Sequence, residues 1–300
     1  MKHNKSLPHF LIVGAPKCGT TALHYYLSQH PAVNMSPKEI HYFGNDLGYK
    51  VKRPSLDYYQ SFFKEQGING DGSVWYLYSD TIFEELKALN ITPKIIVMLR
   101  NPTEVCYAMH SQNIVDANED IYEFESALRL EESRKKGNNI PINTDPERAL
   151  FYKEMGRFLP RIRFFQENIK TSDLFIGLQE DLKSNTAQFL MEIEKFLQIT
   201  PFKNYDLSRV NSNKVVANNS LHNTIKHPGS LKIRIFRAVI PYKPLRKWLV
   251  EKVYNQNIKE EKRIPINSNT KKILDQYFKN ENIELNKIIK SDISSWVNPK

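Results

Sequence analysis

Three hundred residues, 40% of them hydrophobic and 25% charged, have the composition of a folded chain with a sizeable core. Two cysteines exclude a disulfide scaffold, and no apolar run approaches the roughly 20 residues of a membrane span. The net charge of +10 invites a polyanionic partner. Its lysines and arginines are scattered, however, without zinc-finger spacing, RNA-binding aromatic motif or basic repeat, so nucleic acid is not expected.

Phe10 to Val13 reads as a buried strand too short for a helix. Gly14 and Pro16 break it, and Gly19-Thr20-Thr21 opens a helix with Leu23, Tyr26 and Leu27 on one face. Strand, glycine turn and helix start together make an anion site. Unpaired N–H groups converge at the helix start, where the dipole adds positive character. Lys17 adds a full charge, and the Thr20 and Thr21 hydroxyls add donors. Gly14 and Gly19 have Walker A spacing, but the lysine stands at 17 rather than after the second glycine, so the loop is P-loop-like without being a Walker A. Cys18 occupies this loop, where a helix start and Lys17 would favour a thiolate; a small residue fitting a tight turn is the simpler reading.

Further along, residues 44–66 read as a loop and then a helix carrying Leu56, Tyr59, Phe62 and Phe63, a lid or substrate-side insertion. Lys94 to Leu99 is a clear buried strand, leading through Arg100-Asn101-Pro102 into a helix over 103–115, with Pro102 in a first-turn position. Glu123 to Lys136 reads as a helix with a solvated face, and 137–146 as a polar, substrate-covering or disordered loop. Helices are expected at 148–156 and 158–167, a buried strand at 173–178, and behind it a helix with Phe189, Ile193, Phe196 and Leu197 on one face. Residues 231–249 form a basic amphipathic stretch, read as a solvated helix face, with contact to an anionic membrane or acidic glycan as the alternative. Strands alternating with helices give an α/β fold of three layers, a parallel sheet covered on both faces, with ligands at the carboxyl ends of its strands.

Val13-Gly14-Ala15-Pro16-Lys17-Cys18-Gly19-Thr20-Thr21 resembles the 5′-phosphosulfate loop of sulfotransferases that use 3′-phosphoadenosine 5′-phosphosulfate (PAPS). Leu27-Ser28-Gln29-His30-Pro31 and Lys38-Glu39-Ile40-His41-Tyr42-Phe43 resemble segments of the carbohydrate branch, which includes the heparan sulfate enzymes. The resemblance implies a single domain over 1–300, with a core at about 8–200 and a basic, helical region from about 201. It implies PAPS as donor, leaving as adenosine 3′,5′-bisphosphate, held by Pro16, Lys17, Cys18, Gly19, Thr20 and Thr21, with Arg100 on the 3′-phosphate. The family's 3′-phosphate serine falls at Ala108, a departure for which Ser111, a helical turn on, is the candidate substitute. Lys214 is the candidate in the loop the family wraps over the nucleotide. Ser73 stands where some heparan sulfate enzymes have a lysine on the sulfuryl group, in a segment, Gly70–Tyr76, that holds the place of the family's glycine-glutamate-x-(serine or threonine)-x-x-tyrosine strand and loop.

The chemistry implied is in-line sulfuryl transfer, dominated by positioning and charge stabilisation. Lys17 would neutralise the departing phosphate, Glu39 would take the acceptor proton, and His41 would orient Glu39 or share that proton. Residues i and i+2 of an extended segment share a face, which would bring Glu39 and His41 together. His24, His110 and His222 are expected to be structural. No metal is required. The expected acceptor is a hydroxyl of a polysaccharide, glycolipid or lipid-linked sugar. A chain that enters its first strand without a signal-peptide core is expected in a bacterial cytoplasm, at most peripheral at the inner membrane face. Two other readings stay open: a nucleotide kinase or NTPase with a variant loop, and a non-catalytic nucleotide- or glycan-binding module.

Overall fold

Five short strands form one all-parallel sheet in the order β2-β3-β1-β4-β5. They are β1 (Phe10–Gly14), β2 (Val33–Met35), β3 (Ile68–Asp71), β4 (Lys94–Leu99) and β5 (Leu174–Leu178). The computed structural model describes residues 6–208, 214–218, 238–260 and 263–298.

Every residue of β1 is buried, and so are Ile95 to Leu99 of β4. A parallel strand covered on both faces needs such an unbroken apolar run. The two strands pair from Phe10↔Lys94 to Gly14↔Met98. A Cβ at Gly14 would stand 2.3 Å from the Met98 carbonyl oxygen, so only glycine lets these strands close at their carboxyl ends. After β1 the chain lays β2 and then β3 on one side of it, β3 pairing with both, and after β4 it adds β5 on the other side. Leaving β1 and β4 in opposite directions opens a crevice at their carboxyl ends.

Helices α1 (Thr20–Ser28), α2 (Leu56–Gln60), α3 (Ile82–Ala88), α4 (Pro102–Asp116), α5 (Phe124–Arg129), α6 (Glu131–Arg134), α7 (Tyr152–Met155), α8 (Phe158–Asn168), α9 (Gln179–Ser184) and α10 (Thr186–Leu197) follow in chain order, with later ones at Lys243–Asn257, Ser268–Ile288 and Ser294–Val297. Helices flank the sheet as the α/β pattern predicts. Phe189 of α10 lies on β5 where Gly177 leaves room for its ring, edge-on to Phe175 at 5.8 Å. Phe83 of α3 meets Phe165 of α8 at 5.0 Å.

The chain divides into two compact units. One holds the described residues up to Cys106, those from Lys153 to 208, and those from Ser268 on; the other holds Tyr107–Tyr152 and the described residues between 212 and 267. The division does not follow a boundary near 200. Helix Ser268–Ile288 belongs with the sheet because Phe278 is fully buried where Gly156 leaves space, and Thr103 donates to Asp275 at 2.7 Å. In the second unit, β6 (Lys214–Val216) pairs antiparallel with β7 (Ile258–Glu260).

The stretch 123–136 is not one solvated helix. It breaks into α5 and α6, and Glu131 and Arg134 are buried. Arg134 grips Glu119 through both terminal nitrogens, at 2.6 and 2.8 Å, and Tyr152 donates to the same carboxylate at 2.7 Å. An ion pair with its hydrogen bonds filled can sit in a core that a lone charge could not. Nor is 137–146 a loose loop. Thr144 is fully buried and donates to the Asn118 carbonyl, and the Asn139 carbonyl accepts from Arg134. Among the described residues no helix is long and apolar enough to cross a membrane.

Candidate active site

The turn after β1 leads into α1 through Gly19, which is left-handed (φ 88°) and provides no side-chain cap. Lys17 is left-handed as well, at φ 70°, a conformation that costs a non-glycine residue about 1 kcal/mol or more. Its carbonyl oxygen accepts from Gln179 Nε2 at 2.9 Å and from Arg100 Nη1 at 3.4 Å. Side chains from the ends of β4 and β5 thus hold the turn. Thr20 is buried; Pro16, Lys17, Gly19 and Thr21 are half-buried. A helix start that its own residues do not cap, with a lysine and two threonines beside it, has the donors a phosphate or sulfate group needs. The donor's phosphosulfate fits this chemistry.

The thiolate reading of Cys18 is not supported. The side chain is fully buried, with Sγ 3.9 Å from the Pro16 carbonyl, and burial pushes the thiol far up despite the pull of Arg100. It is a small residue filling the inside of the turn.

Arg100 follows β4 directly, and its second terminal nitrogen meets Glu104 at 3.1 Å. Glu180 accepts from the Asn101 backbone N–H at 3.1 Å. On α4, Ala108 is wholly buried and its methyl offers no donor, while Ser111 is half-buried and donates to the Tyr107 carbonyl at 2.9 Å. Lys214 opens β6, opposite Glu260; its side chain lies outside the described part, as do residues 209–213, 219–237 and His222.

Glu39 and His41 do come together, though by another route than an extended strand. Both are left-handed (φ 60° and 52°), so the segment is coiled, and His41 Nε2 stands 3.5 Å from Glu39 Oε2. Lys38 pairs with Glu39 Oε1, and the Val74 N–H donates to Oε2 at 3.3 Å. The segment is stitched to the carboxyl end of β3. The Glu39 N–H donates to the Gly72 carbonyl at 3.2 Å, the His41 N–H to Ser73 Oγ at 3.3 Å, and the N–H groups of Tyr42 and Phe43 to the Tyr76 hydroxyl at 2.9 and 3.2 Å.

Beneath that stitching lies Asp71, fully buried, which accepts from Ser73 Oγ (2.8 Å), Tyr59 OH (2.8 Å) and Tyr76 OH (3.0 Å). Burial pushes its carboxyl up to about 6 against the lowering effect of these three hydroxyls. Ser73 therefore holds backbone in place, and its hydroxyl is committed to Asp71. Sequence reasoning passed over Asp71 and Gln179 as site residues, and took Tyr59 only as one of the residues of the helix in the lid or substrate-side insertion. For Gln179 a polar residue at the end of an apolar strand was the available signal; for Asp71, set among Asn69, two glycines and Ser73, no local signal was available.

His24, His30 and His110 are structural. His24 bonds the Ser36 carbonyl at 2.9 Å, and His110 bonds that of Ile121 at 2.8 Å; burial lowers both below the ordinary imidazole range. His30 accepts from the Ala32 N–H at Nδ1 (3.0 Å), which leaves Nε2 to donate to the Thr200 carbonyl at 2.9 Å. Among the described residues no group of His, Cys, Asp and Glu is assembled to hold a metal ion.

Comparison with known proteins gives the family. The profile of the sulfotransferase domain matches residues 7–235. Human bifunctional heparan sulfate N-deacetylase/N-sulfotransferase 2 is 30% identical over 212 residues, which cover 66% of this chain and 23% of that protein. Heparan sulfate glucosamine 3-O-sulfotransferase 5 of Mus musculus is 28% identical over 206 residues, covering 66% of this chain and 55% of that one. The chain thus spans less than a quarter of the first relative and about half of the second. A sulfotransferase from Alicyclobacillus acidocaldarius shares the fold at a TM-score of 0.71, with 20% identity, over 97% of this chain and 99% of that one. The chain belongs to the sulfotransferase domain family, enzymes whose sulfuryl donor is PAPS.

Proposed function

We propose that this protein transfers a sulfuryl group from PAPS to a saccharide hydroxyl, with Glu39 as the base. The observation that carries the reading is the meeting of Glu39 and His41 at 3.5 Å, held by two left-handed residues and by backbone bonds to the end of β3. Strain of this kind persists only where the surroundings enforce it, and it concentrates at working sites. The two heparan sulfate relatives act, by name, on a saccharide, which supports that acceptor class.

Bound donor supplies a sulfuryl group on a phosphate leaving group, and its transfer passes through a loose, charge-rich transition state like that of phosphoryl transfer. Lys17, the N–H groups opening α1, and the Thr20 and Thr21 hydroxyls would hold the negative charge that grows on the leaving phosphate. Arg100, at the neighbouring strand end, suits bidentate binding of the 3′-phosphate. Glu39 takes the proton from the acceptor hydroxyl as that oxygen bonds to sulfur, and the electron pair of the broken S–O bond leaves with the phosphate. Lys38 keeps one oxygen of Glu39 occupied, leaving Oε2 toward His41.

The test is transfer of labelled sulfate from PAPS to sulfate-free heparosan, chondroitin and their N-deacetylated forms. Label on an O-linked position of one of these supports the reading. Label on the amine only would make the enzyme an N-sulfotransferase. Binding of adenosine 3′,5′-bisphosphate with transfer to none of them would overturn the saccharide assignment.

A further inference from the structure

We infer that Tyr49 is a positioning residue of this site, its hydroxyl fixing the His41 tautomer whose Nε2–H faces Glu39. The inference rests on the reading of Glu39 as base for its meaning in catalysis, but not for its geometry. The Tyr49 hydroxyl stands 3.0 Å from His41 Nδ1, and the two rings stack with centroids 4.3 Å apart and an interplanar angle of 29°. The opposite nitrogen of the same imidazole faces Glu39 Oε2 at 3.5 Å. A tyrosine, a histidine and a glutamate therefore stand in line, each within reach of the next.

The turn that delivers Tyr49 is fastened down. It is entered at Gly44 and left at Gly48, both left-handed (φ 84° and 75°), and Leu47 between them is buried. The N–H groups of Gly44 and Asn45 donate to Glu85 at 3.0 and 3.1 Å. Asp46 accepts from Ser79 Oγ (2.6 Å), the Asp80 N–H (2.7 Å) and Thr81 Oγ1 (2.9 Å). On the far side, Arg53 pairs with Glu85 at 2.9 Å and lies over the Tyr42 ring at 4.2 Å. The phenol is presented to His41 by a braced turn.

The direction of the hydrogen bonds follows from charge. A neutral imidazole carries its proton on one nitrogen and accepts at the other. Were the proton on Nδ1, the Nε2 lone pair would face the Glu39 carboxylate, an unfavourable pairing. With the tyrosine hydroxyl donating to Nδ1, the proton sits on Nε2 and points at Oε2. His41 then aims the carboxylate, and Tyr49 aims His41. The bond opposite the working nitrogen sets which nitrogen carries the proton.

The test reads the tautomer directly, by long-range proton–nitrogen spectra of protein labelled in its histidine rings. His41 is assigned by the signal missing from His41→Gln. The wild type should show the Nε2–H form, and Tyr49→Phe, which keeps the stacked ring and removes only the hydroxyl, should show a mixture of both. An Nδ1–H form of His41 in the wild type would overturn the inference, and so would an unchanged tautomer in Tyr49→Phe. In the transfer assay Tyr49→Phe should lower kcat about tenfold, the worth of one hydrogen bond, with KM for PAPS unchanged. It should add nothing in a His41→Gln background. Full transfer by Glu39→Gln would sink the base assignment alone, since the Tyr49–His41 tautomer result stands apart from it.

Discussion

Arg100 lies 3.4 Å from the carbonyl oxygen of Lys17, so the arginine after β4 is bonded to the turn after β1. One side chain thus bridges the two strand ends from which the chain departs in opposite directions. If its free donors bind the 3′-phosphate, Arg100→Ala should weaken adenosine 3′,5′-bisphosphate by roughly tenfold to a hundredfold, the worth of charged hydrogen bonds, and barely affect 5′-AMP. Calorimetric titration with both nucleotides decides it, and an equal loss for both would show that Arg100 only shapes the turn. The same titration on Lys17→Ala should lose the bisphosphate, while wild-type protein should take ADP and ATP much more weakly. Equal binding of ATP would revive the kinase reading.

Glu39→Gln keeps shape and hydrogen-bonding capacity but cannot accept the proton. Its kcat should fall by about 10²–10⁴, with bisphosphate affinity unchanged. Steady-state kinetics beside a binding isotherm separate the two effects. A matching loss in affinity would mean that Glu39 supports the donor instead.

Asp71 makes a prediction about stability and pH. Its carboxyl titrates near 6 in the folded chain, against about 3.9 for an unperturbed aspartate. Between these values the folded state binds more protons than the unfolded one, so stability falls as pH rises through the window, by roughly 3 kcal/mol at most. Asp71→Asn should abolish that slope. It should also destabilise the protein by about 1–3 kcal/mol at low pH, because an amide nitrogen would meet hydroxyl donors already aimed at the carboxylate. Urea unfolding of both proteins from pH 4 to 7 tests the sign; a wild-type curve that rises across the window would refute it.

Cys18 and Cys106 are both buried, and burial holds the Cys18 thiol protonated. Neither should react with iodoacetamide in the native protein, and both should react in denaturant. Mass spectrometry after a timed reaction reads this. Cys18→Ala should keep its affinity for the bisphosphate. Rapid native labelling at Cys18 would bring back the thiolate reading.

The central strands were legible because each side of a buried parallel strand demands apolar residues. Phe10–Val13 and Lys94–Leu99 announce themselves, as does the anion turn through its spacing; 173–178 also reads as an apolar strand, though β5 is the sheet edge and Leu174 to Ile176 are only half-buried. β2 and β3 were not legible as apolar runs. Val33–Met35 is too short for a pattern, and Ile68–Asp71 carries two polar residues whose burial is repaid by tertiary partners: Asn69 bonds Lys64 on both its oxygen and its nitrogen, and Asp71 takes three hydroxyls. Glu39 and His41 were found as residues, but their geometry was not, since nothing local announces left-handed backbone at a glutamate or a histidine. The stretch 123–136 was misread for a related reason. Arg134 finds its partner Glu119 fifteen residues back, beyond the reach of helical periodicity.

His30 carries a lesson about signatures. It closes α1 by accepting from Ala32 and donating to Thr200, with both ring nitrogens engaged by backbone. The histidine of the Leu27–Pro31 signature is thus a mooring between the first helix and a segment 170 residues downstream. A mooring is inherited with the fold, whatever molecule the enzyme modifies. Sorting uncharted sequences by acceptor should therefore give that histidine no vote and weigh the Glu39–His41 half of the signature alone.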